Sequence, residues 1–318
     1  MKKNCENCQL TGIALAHQDE AIMSAGHVLI GDLRVARVGY GAMRLTGPGI
    51  WGAPADHDEA IATLRRAVEL GVNFIDTAES YGPYVSEELI AEALYPYPRD
   101  LVIATKGGFD RPGPDEWRVN GRPERLWDAL EGSLRRLRLS RIDLYQLHRV
   151  DPAVPADEQF GVLREMQKQG LVRHIGLSEV GVAQIEQARR FFPVVSVQNQ
   201  YNVADRHWED VLTYCTRQAI AFIPWHPLGA GSLTRHGVSL MVRRLLGRVA
   251  SPSALAAVAR HHAATPSQIA IAWLFHRSPV MLPIPGTSNR VHLEENLLAV
   301  ALSLTLDELK RLDAACAA

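Results

Sequence analysis

The residues best suited to chemistry stand where apolar segments of the chain end. Six successive segments close on a polar or aromatic side chain, namely Asp76, Lys106, His148, Ser178, Gln198 and Trp225. The first of these segments belongs to the stretch VNFIDTAESYGPY, which also contains Tyr81. Because an aspartate is rarely buried without a partner, Asp76 predicts a cation nearby, and Lys106 is the candidate.

These side chains together would form a proton donor. A lysine neutralised by Asp76 favours the phenolate of a nearby tyrosine, whose pKa is ordinarily near 10. We expect Lys106 to lower the pKa of Tyr81 toward the operating pH, where a general acid is effective. A neutral His148 would hold the carbonyl oxygen that receives the proton. Each residue alone also fits a structural role, but their joint position at segment ends favours catalysis.

An alternation of strands and helices would bring these segment ends together. Amphipathic helical patterns separate the strand-like runs, as in residues 58–70, 125–137, 158–168, 182–190, 208–218 and 267–275. The predicted strands are residues 38–43, 73–76, 101–105, 142–147, 174–177, 194–198, 221–225 and 281–283. Eight such units favour an α/β fold, a closed (β/α)8 TIM barrel, in which the loops after the strands build the active face. We expect a β-hairpin with a turn at Gly31-Asp32 to plug its N-terminal end, and residues 305–316 to add a terminal helix.

Composition points to a small-molecule partner. The chain has 318 residues, a net charge of -1, 47% hydrophobic residues and a pI near 6.9. This balance gives no electrostatic footprint for nucleic acid or an anionic membrane. No apolar run approaches the roughly 20 residues that span a bilayer, so we expect a cytoplasmic protein. The sequence does not indicate an oligomeric state.

The N-terminal residues are expected to lie outside the fold. Cys5 and Cys8 form a C-x-x-C, but there is no second pair nearby and no following βαβ pattern, which favours a tail over a redox or metal site. Met23 is a plausible alternative start. We therefore predict a disordered extension over residues 1–22, one barrel domain over residues 23–318, and no metal.

Seven dispersed motifs resemble those of the aldo-keto reductase superfamily, and they occur in that family's order. They are NFIDTAESYG, VIATKGG, IDLYQLHRVD, IGLSE, VQNQYN, FIPWHPLGAG and PIPGTSNRVHLEEN. The resemblance implies that Tyr81 is the acid/base, that Lys106 and Asp76 tune it, and that His148 orients the substrate carbonyl. It further implies reversible, metal-free hydride transfer between a nicotinamide and an aldehyde or ketone.

The resemblance also implies a binding site for an extended nicotinamide dinucleotide. Ser178 and Gln198 would hold the carboxamide, and Trp225 would stack on the ring, with Met43 and Asp76 beside them. The pyrophosphate side would use His226, Pro227, Leu228 and Gly231. The adenosine phosphate and adenine would contact Gly286, Thr287, Ser288, Asn289, Arg290, Glu295 and Asn296.

The chain departs from the family pattern at three positions in these motifs. Glu179 follows Ser178 where the family commonly has asparagine, and Trp225 replaces a common tyrosine while keeping a flat aromatic face. Ser288 stands where many relatives grip the 2'-phosphate with arginine. Arg290 and backbone N–H groups at the start of the next helix could bind that phosphate instead, so we expect NADPH in preference to NADH.

The substrate pocket is predicted from loop residues, and two other functions remain open. Aromatic walls with a few polar groups suit an aromatic or heteroaromatic carbonyl compound. The predicted lining is Met43, Trp51, Tyr84, Phe109, Trp117 and Arg149. Within the superfamily the chain resembles the bacterial pyridoxal-reducing branch. The alternatives are a lyase that forms a Schiff base on Lys106, and a regulatory subunit that binds cofactor without turnover.

Overall fold

A single parallel sheet forms the centre of the molecule. The computed structural model describes residues 26–229 and 252–315. The strands in chain order are β1 (His27–Ile30), β2 (Leu33–Ala36), β3 (Tyr40–Gly41), β4 (Phe74–Asp76), β5 (Val102–Gly107), β6 (Phe109–Asp110), β7 (Arg118–Val119), β8 (Ile142–Leu147), β9 (Val172–Ser178), β10 (Val194–Gln198) and β11 (Ala221–Phe222). Seven of them form the sheet in the order β11-β10-β9-β8-β5-β4-β3.

Residues 280–284 close this sheet into a barrel. The Phe222 amide donates to the Val280 carbonyl at 2.9 Å, and the Leu282 amide donates to the Phe222 carbonyl at 2.8 Å. On the other side of the same segment, the Gly39 amide donates to the Pro283 carbonyl at 2.9 Å. The eighth segment therefore joins both edges of the sheet, and the predicted (β/α)8 barrel is confirmed.

Helices cover the outside of the barrel. They are α1 (His57–Glu69), α2 (Val85–Leu94), α3 (Pro123–Arg136), α4 (Ala156–Lys168), α5 (Val182–Ala188), α6 (Glu209–Gln218), α7 (Pro252–His261), α8 (Pro266–Arg277), α9 (Arg290–Leu297) and α10 (Leu306–Ala315). The last is the predicted terminal helix. In the described residues, no helix is long and apolar enough to cross a bilayer.

Strand alternation divides the barrel interior into an apolar and a polar part. Phe74 faces inward and joins an apolar cluster with Val102, Leu144 and Ile223, while Ile75 faces the helices. Because successive strand side chains alternate between faces, Asp76 returns to the interior one step nearer the C-terminal end. The same two-residue alternation directs Lys106, Gln146 and Gln198 into the interior beside Asp76.

The β1–β2 hairpin plugs the opposite end, as predicted. Its strands pair with Ile30 opposite Leu33, and Ile30 and Val35 pack into the interior cluster. Asp32 in its turn accepts hydrogen bonds from Arg173 at 2.6 Å and His174 at 2.5 Å, near the start of β9. These contacts fix the hairpin against the N-terminal ends of the strands.

Several predicted strands are shorter than expected. The strand predicted over 38–43 is reduced to β3, because residues Ala42–Leu45 turn into a 3-10 helix. The strand over 221–225 is reduced to β11, and the strand over 281–283 to a bridge between Met281 and Phe222. Pro224 and Pro283 lack the amide proton that a ladder requires. The predicted tail, including Cys5 and Cys8, and Gly231 lie outside the described residues.

Two neighbouring hairpin residues give a matched test of the plug. Ile30 is 0% exposed and Leu29 is 60% exposed. Ile30→Ala should lower the free energy of unfolding by about 2–5 kcal/mol, because it leaves a cavity in the interior cluster. Leu29→Ala should change it by less than about 0.5 kcal/mol. Denaturant unfolding measures both, and equal effects would contradict the placement of the hairpin.

Candidate active site

A buried ion pair lies at the centre of the site. The Lys106 Nζ donates to Asp76 Oδ2 at 2.6 Å and to the Thr77 carbonyl at 2.7 Å, and the two side chains are 0% and 3% exposed. Burial alone would lower the pKa of Lys106, but the charge of Asp76 and the hydrogen bonds raise it. Lys106 is therefore an ammonium ion inside the barrel, which confirms the predicted pairing.

Two glutamines complete the environment of Asp76. Its second oxygen, Oδ1, accepts from Gln146 Nε2 at 3.1 Å and from Gln198 Nε2 at 2.8 Å. A buried carboxylate needs such additional hydrogen bonds to offset its lost hydration. Sequence reasoning missed Gln146, although its position on the inward face of β8, two residues before His148, was a readable signal.

Tyr81 reaches this charge from the loop after β4. The Lys106 Nζ lies 5.2 Å from the centre of the Tyr81 ring, which is buried. The following Gly82 has a φ of 104°, and a β carbon there would meet Val85 at 2.5 Å, so only glycine permits this turn. The turn therefore holds the phenol over the ion pair.

The expected lowering of the Tyr81 pKa is not found in this structure. Burial raises the pKa of Tyr81 above its ordinary value, while the charge of Lys106 acts in the opposite direction and is outweighed. The sequence revealed the cation but not the complete burial of the phenol. The phenol is therefore protonated, and Lys106 limits the increase in its pKa.

His148 lies beside Tyr81 as a neutral side chain. The ring centres are 5.9 Å apart, and Ser80 Oγ lies 3.4 Å from His148 Nδ1. Burial, together with the charges of Lys106, Arg149 and Arg111, lowers the pKa of His148 well below its ordinary value. The predicted neutral histidine is consistent with this direction.

Aromatic residues form a cluster that extends from His148. Phe109 lies 4.7 Å from His148 and 5.3 Å from Trp117 between ring centres. The Arg111 guanidinium stacks 3.7 Å from the Trp117 centre and 5.7 Å from that of Trp51. The Arg149 guanidinium lies 5.7 Å from the centre of Phe109, so this cluster brings together four predicted residues: Trp51, Phe109, Trp117 and Arg149. Sequence reasoning missed Arg111.

Tyr84, a predicted pocket residue, is more exposed than the residues of this aromatic cluster. It is 44% exposed, and the Arg136 guanidinium of α3 lies 4.2 Å from the centre of its ring. Arg136 in turn pairs with Glu87 at 2.7 Å. Tyr84 also borders a cleft of about 280 Å³ that Ser80 and Phe109 share. The sequence could not show this, because the residue's direction depends on its left-handed backbone at the start of α2.

The predicted carboxamide ligands retain complementary hydrogen-bonding groups. Ser178 Oγ accepts from Arg149 at 3.0 Å, which leaves its hydroxyl proton to donate. Gln198 uses its amide nitrogen on Asp76, which leaves its carbonyl oxygen to accept. A primary carboxamide presents one acceptor and one donor group, so the pair fits it.

Glu179 anchors the predicted stacking residue. The Trp225 Nε1 donates to Glu179 Oε1 at 2.6 Å, and the Gln200 amide donates to the same oxygen at 2.6 Å. Glu179 has a φ of 55°, in the left-handed region that non-glycine residues seldom adopt. Glu179, which stands where the family commonly has asparagine, therefore fixes the edge of the Trp225 indole.

The predicted pyrophosphate segment forms a tight turn after Trp225. The His226 carbonyl accepts from the Gly229 amide at 2.9 Å and from Asn202 Nδ2 at 3.1 Å. Pro227 is buried, and Leu228 packs against the main core. Burial lowers the pKa of His226, and the charge of Arg44 lowers it further.

The predicted phosphate segment meets the 3-10 turn after β3. A β carbon at Gly286 would lie 2.5 Å from the Gly41 carbonyl oxygen, so glycine permits this close approach, and Arg44 Cγ would be 3.7 Å away. Exposed Arg44 forms no ion pair with any residue in ranges 26–229 and 252–315. Sequence reasoning missed this cation, which lies beside the predicted phosphate segment at Gly286.

Arg290 is less available for an anion than expected. Its guanidinium pairs with Glu59 of α1 at 3.1 Å, and its amide donates to the same carboxylate at 3.1 Å. Asn289 caps α9 by accepting from the His292 amide at 3.1 Å. Glu59 thus occupies part of the anion site that the sequence assigned to a phosphate.

The remaining predicted cofactor residues surround this segment. The Tyr40 hydroxyl donates to the Thr287 carbonyl, and Thr287 Oγ1 accepts from the Asn289 amide at 3.1 Å. Ser288 is exposed. The other three are buried or half-buried, on α9 or in the turn after β3: Asn296, Glu295 and Met43.

Comparisons with known proteins agree with this geometry. Residues 37–317 match the sequence model of the aldo/keto reductase family. An uncharacterised oxidoreductase of Schizosaccharomyces pombe is 51% identical over 289 residues, 91% of this chain and 89% of its own. The pyridoxine 4-dehydrogenase of Escherichia coli K12 is 41% identical over 297 residues, 92% and 98% of the two chains. The solved glycerol dehydrogenase of Gluconobacter oxydans has a TM-score of 0.82 at 27% identity and covers 93% and 96%.

The contact between Glu179 and Trp225 can be isolated by a double-mutant cycle. Glu179→Ala should lower the free energy of unfolding by about 1–3 kcal/mol, because it leaves the indole N–H without its acceptor. In a Trp225→Phe background, which has no indole N–H, the same change should have a smaller effect. Denaturant unfolding of the four proteins measures the coupling. Additive effects would show that the two side chains do not interact.

Proposed function

Because the chain belongs to the aldo/keto reductase family of oxidoreductases, we propose that it catalyses reversible hydride transfer between NADPH and an aldehyde or ketone, with Tyr81 as the proton donor. The observation that carries this proposal is the buried Asp76–Lys106 pair beneath a protonated Tyr81 and a neutral His148. When bound, the nicotinamide would supply the hydride. The protein's own residues would handle the proton.

Tyr81 would donate its hydroxyl proton to the substrate oxygen. The resulting phenolate would be stabilised by the Lys106 ammonium, which Asp76 keeps charged. A neutral His148 would donate an N–H to the same oxygen without competing as an acid. The positive charge of Arg149, which donates to the His148 carbonyl at 2.6 Å, lowers the pKa of both Tyr81 and His148.

The state of Lys106 argues against a Schiff-base lyase. Imine formation needs a neutral, accessible amine. Lys106 is fully buried, and its pKa is raised by Asp76 although burial acts in the opposite direction. Two acceptors already occupy its ammonium group. The lysine therefore suits electrostatic support better than nucleophilic attack.

An aromatic or heteroaromatic carbonyl compound is the proposed substrate class, with pyridoxal as the leading candidate. Phe109 and Trp117 supply flat apolar surface, and Arg111 and Arg149 supply cations at its border. The 41% identity to a pyridoxine 4-dehydrogenase supports the same choice. A panel of aldehydes, ketones and alcohols that includes pyridoxal and pyridoxine tests it by absorbance of the reduced nicotinamide. If the protein binds NADPH but turns over no compound of the panel, the result would favour a regulatory subunit that binds cofactor without turnover.

Tyr81→Phe tests the proton donor. It should lower kcat/KM for the best panel substrate by about 10²–10⁴-fold, the usual contribution of general acid catalysis. The dissociation constant of NADPH, measured by quenching of protein fluorescence, should remain within about twofold, since the ring is retained. Tyr95→Phe removes the same atom from a half-exposed tyrosine outside the site and serves as the control. If the Tyr81→Phe variant kept near-native turnover, Tyr81 would not be the proton donor.

Glu59 and Arg290 together test the proposed NADPH preference. If Arg290 binds the 2'-phosphate, Arg290→Ala should weaken NADPH binding by about tenfold or more, as expected for a lost charged contact. Glu59→Gln should tighten NADPH binding, because it releases the guanidinium. NADH, which lacks this phosphate, should bind all three proteins equally. Tighter binding of NADH than NADPH by the parent protein would overturn the preference.

A further inference from the structure

Two histidines and a glutamate converge at the C-terminal end of α7, away from the residues assigned to catalysis. His261 Nδ1 lies 2.7 Å from Glu308 Oε1, and His262 Nε2 lies 3.0 Å from the same oxygen. One ligand atom from each residue lies within 4.8 Å of the others. We propose that this cluster is a binding site for a divalent transition metal, with Zn²⁺ as the representative ion.

The donor set determines the class of metal. Two imidazole nitrogens and one carboxylate oxygen are ligands that Zn²⁺, Ni²⁺ and Cu²⁺ accept, whereas Mg²⁺ and Ca²⁺ prefer oxygen ligands alone. Three protein ligands leave a fourth position for water. His261 has a side chain that is 71% exposed, so an ion can enter from solvent.

Two contacts with Thr305 hold Glu308 in position and would remain when a metal binds. Its other oxygen, Oε2, accepts from the Thr305 amide at 2.8 Å and from Thr305 Oγ1 at 2.9 Å, at the start of α10. These bonds leave Oε1 directed at both rings, 2.7 Å from His261 Nδ1 and 3.0 Å from His262 Nε2. Such outer hydrogen bonds are what orient metal ligands.

The local backbone also suits a cation. His261 is the last residue of α7, and Ala263 leaves the helix with a φ of 48°. The end of a helix carries partial negative charge from unpaired carbonyl groups. Coordination would replace the three hydrogen bonds between the histidines and Glu308 by metal bonds, and each imidazole would then carry its proton on its other ring nitrogen. It would tie α7 to α10, the helix added after the barrel.

Zinc titration of metal-free protein tests the site directly. The protein carries Cys5→Ser and Cys8→Ser, so that those two thiols cannot bind the ion. Calorimetry should show saturable binding of one Zn²⁺, and Tm should rise by about 3–5 °C when zinc exceeds its Kd about 100-fold. Mg²⁺ should cause no such rise. Co²⁺ should give the visible absorption of a tetrahedral site.

Single-residue variants identify the ligands. His261→Ala and His262→Ala should each weaken zinc binding by at least about tenfold and remove the zinc-dependent rise in Tm. His292→Ala removes an exposed histidine on α9 and should bind zinc as the parent does. Because the comparison uses the change caused by zinc, altered stability of a variant does not obscure it. Absence of saturable binding, or binding equal in His261→Ala and the parent, would show that the cluster is a hydrogen-bonded link between helices only.

Discussion

The structure depends on one buried ion pair, between Asp76 and Lys106. Removing an ammonium and a carboxylate from water is unfavourable by several kcal/mol each unless both are well paired and hydrogen-bonded. Here the carbonyl of Thr77 and the amides of Gln146 and Gln198 supply those bonds. All of them come from the C-terminal ends of barrel strands or the residue that follows. Because side chains alternate between the two faces of each strand, these polar groups all point into the barrel near the C-terminal ends of its strands.

The charge of Lys106 lowers the pKa of both its neighbours, whereas burial raises the pKa of Tyr81 and lowers that of His148. Burial raises the pKa of Tyr81, and the ammonium acts against that increase. At His148, burial lowers the pKa and the same ammonium lowers it further. One buried cation thus favours release of a proton from the phenol and prevents uptake of a proton by the imidazole. These directions support the proposed roles, in which Tyr81 is the acid and His148 a neutral hydrogen-bond donor.

The sequence was most informative where a residue's place follows from strand order. Asp76, Lys106 and His148 terminate successive runs, and in a parallel barrel such ends must meet, so their proximity was predictable. The hairpin followed from its turn residues. The barrel closure was foreseen, although prolines made the last segment a set of isolated hydrogen bonds and not a regular strand.

Contacts between residues distant in sequence were not predictable from local pattern. Glu59 and Arg290 belong to different units, so the partial occupation of the predicted phosphate site was invisible. The contact of Glu179 with Trp225 required knowledge of how two adjacent loops pack. Whether the pKa of Tyr81 is raised or lowered depends on whether the effect of burial outweighs that of the Lys106 charge. The sequence indicates that charge, but it does not indicate how deeply the phenol is buried.

The most direct test of this account is the pKa of Tyr81 with and without Lys106. Tyrosine labelled at Cζ with carbon-13 gives a resonance that moves when the phenol ionises, and Tyr81→Phe identifies it by its absence. The account predicts that Lys106→Met raises the pKa of Tyr81, because it removes the charge that favours the phenolate. An unchanged or lower pKa in Lys106→Met would contradict the role of the buried pair.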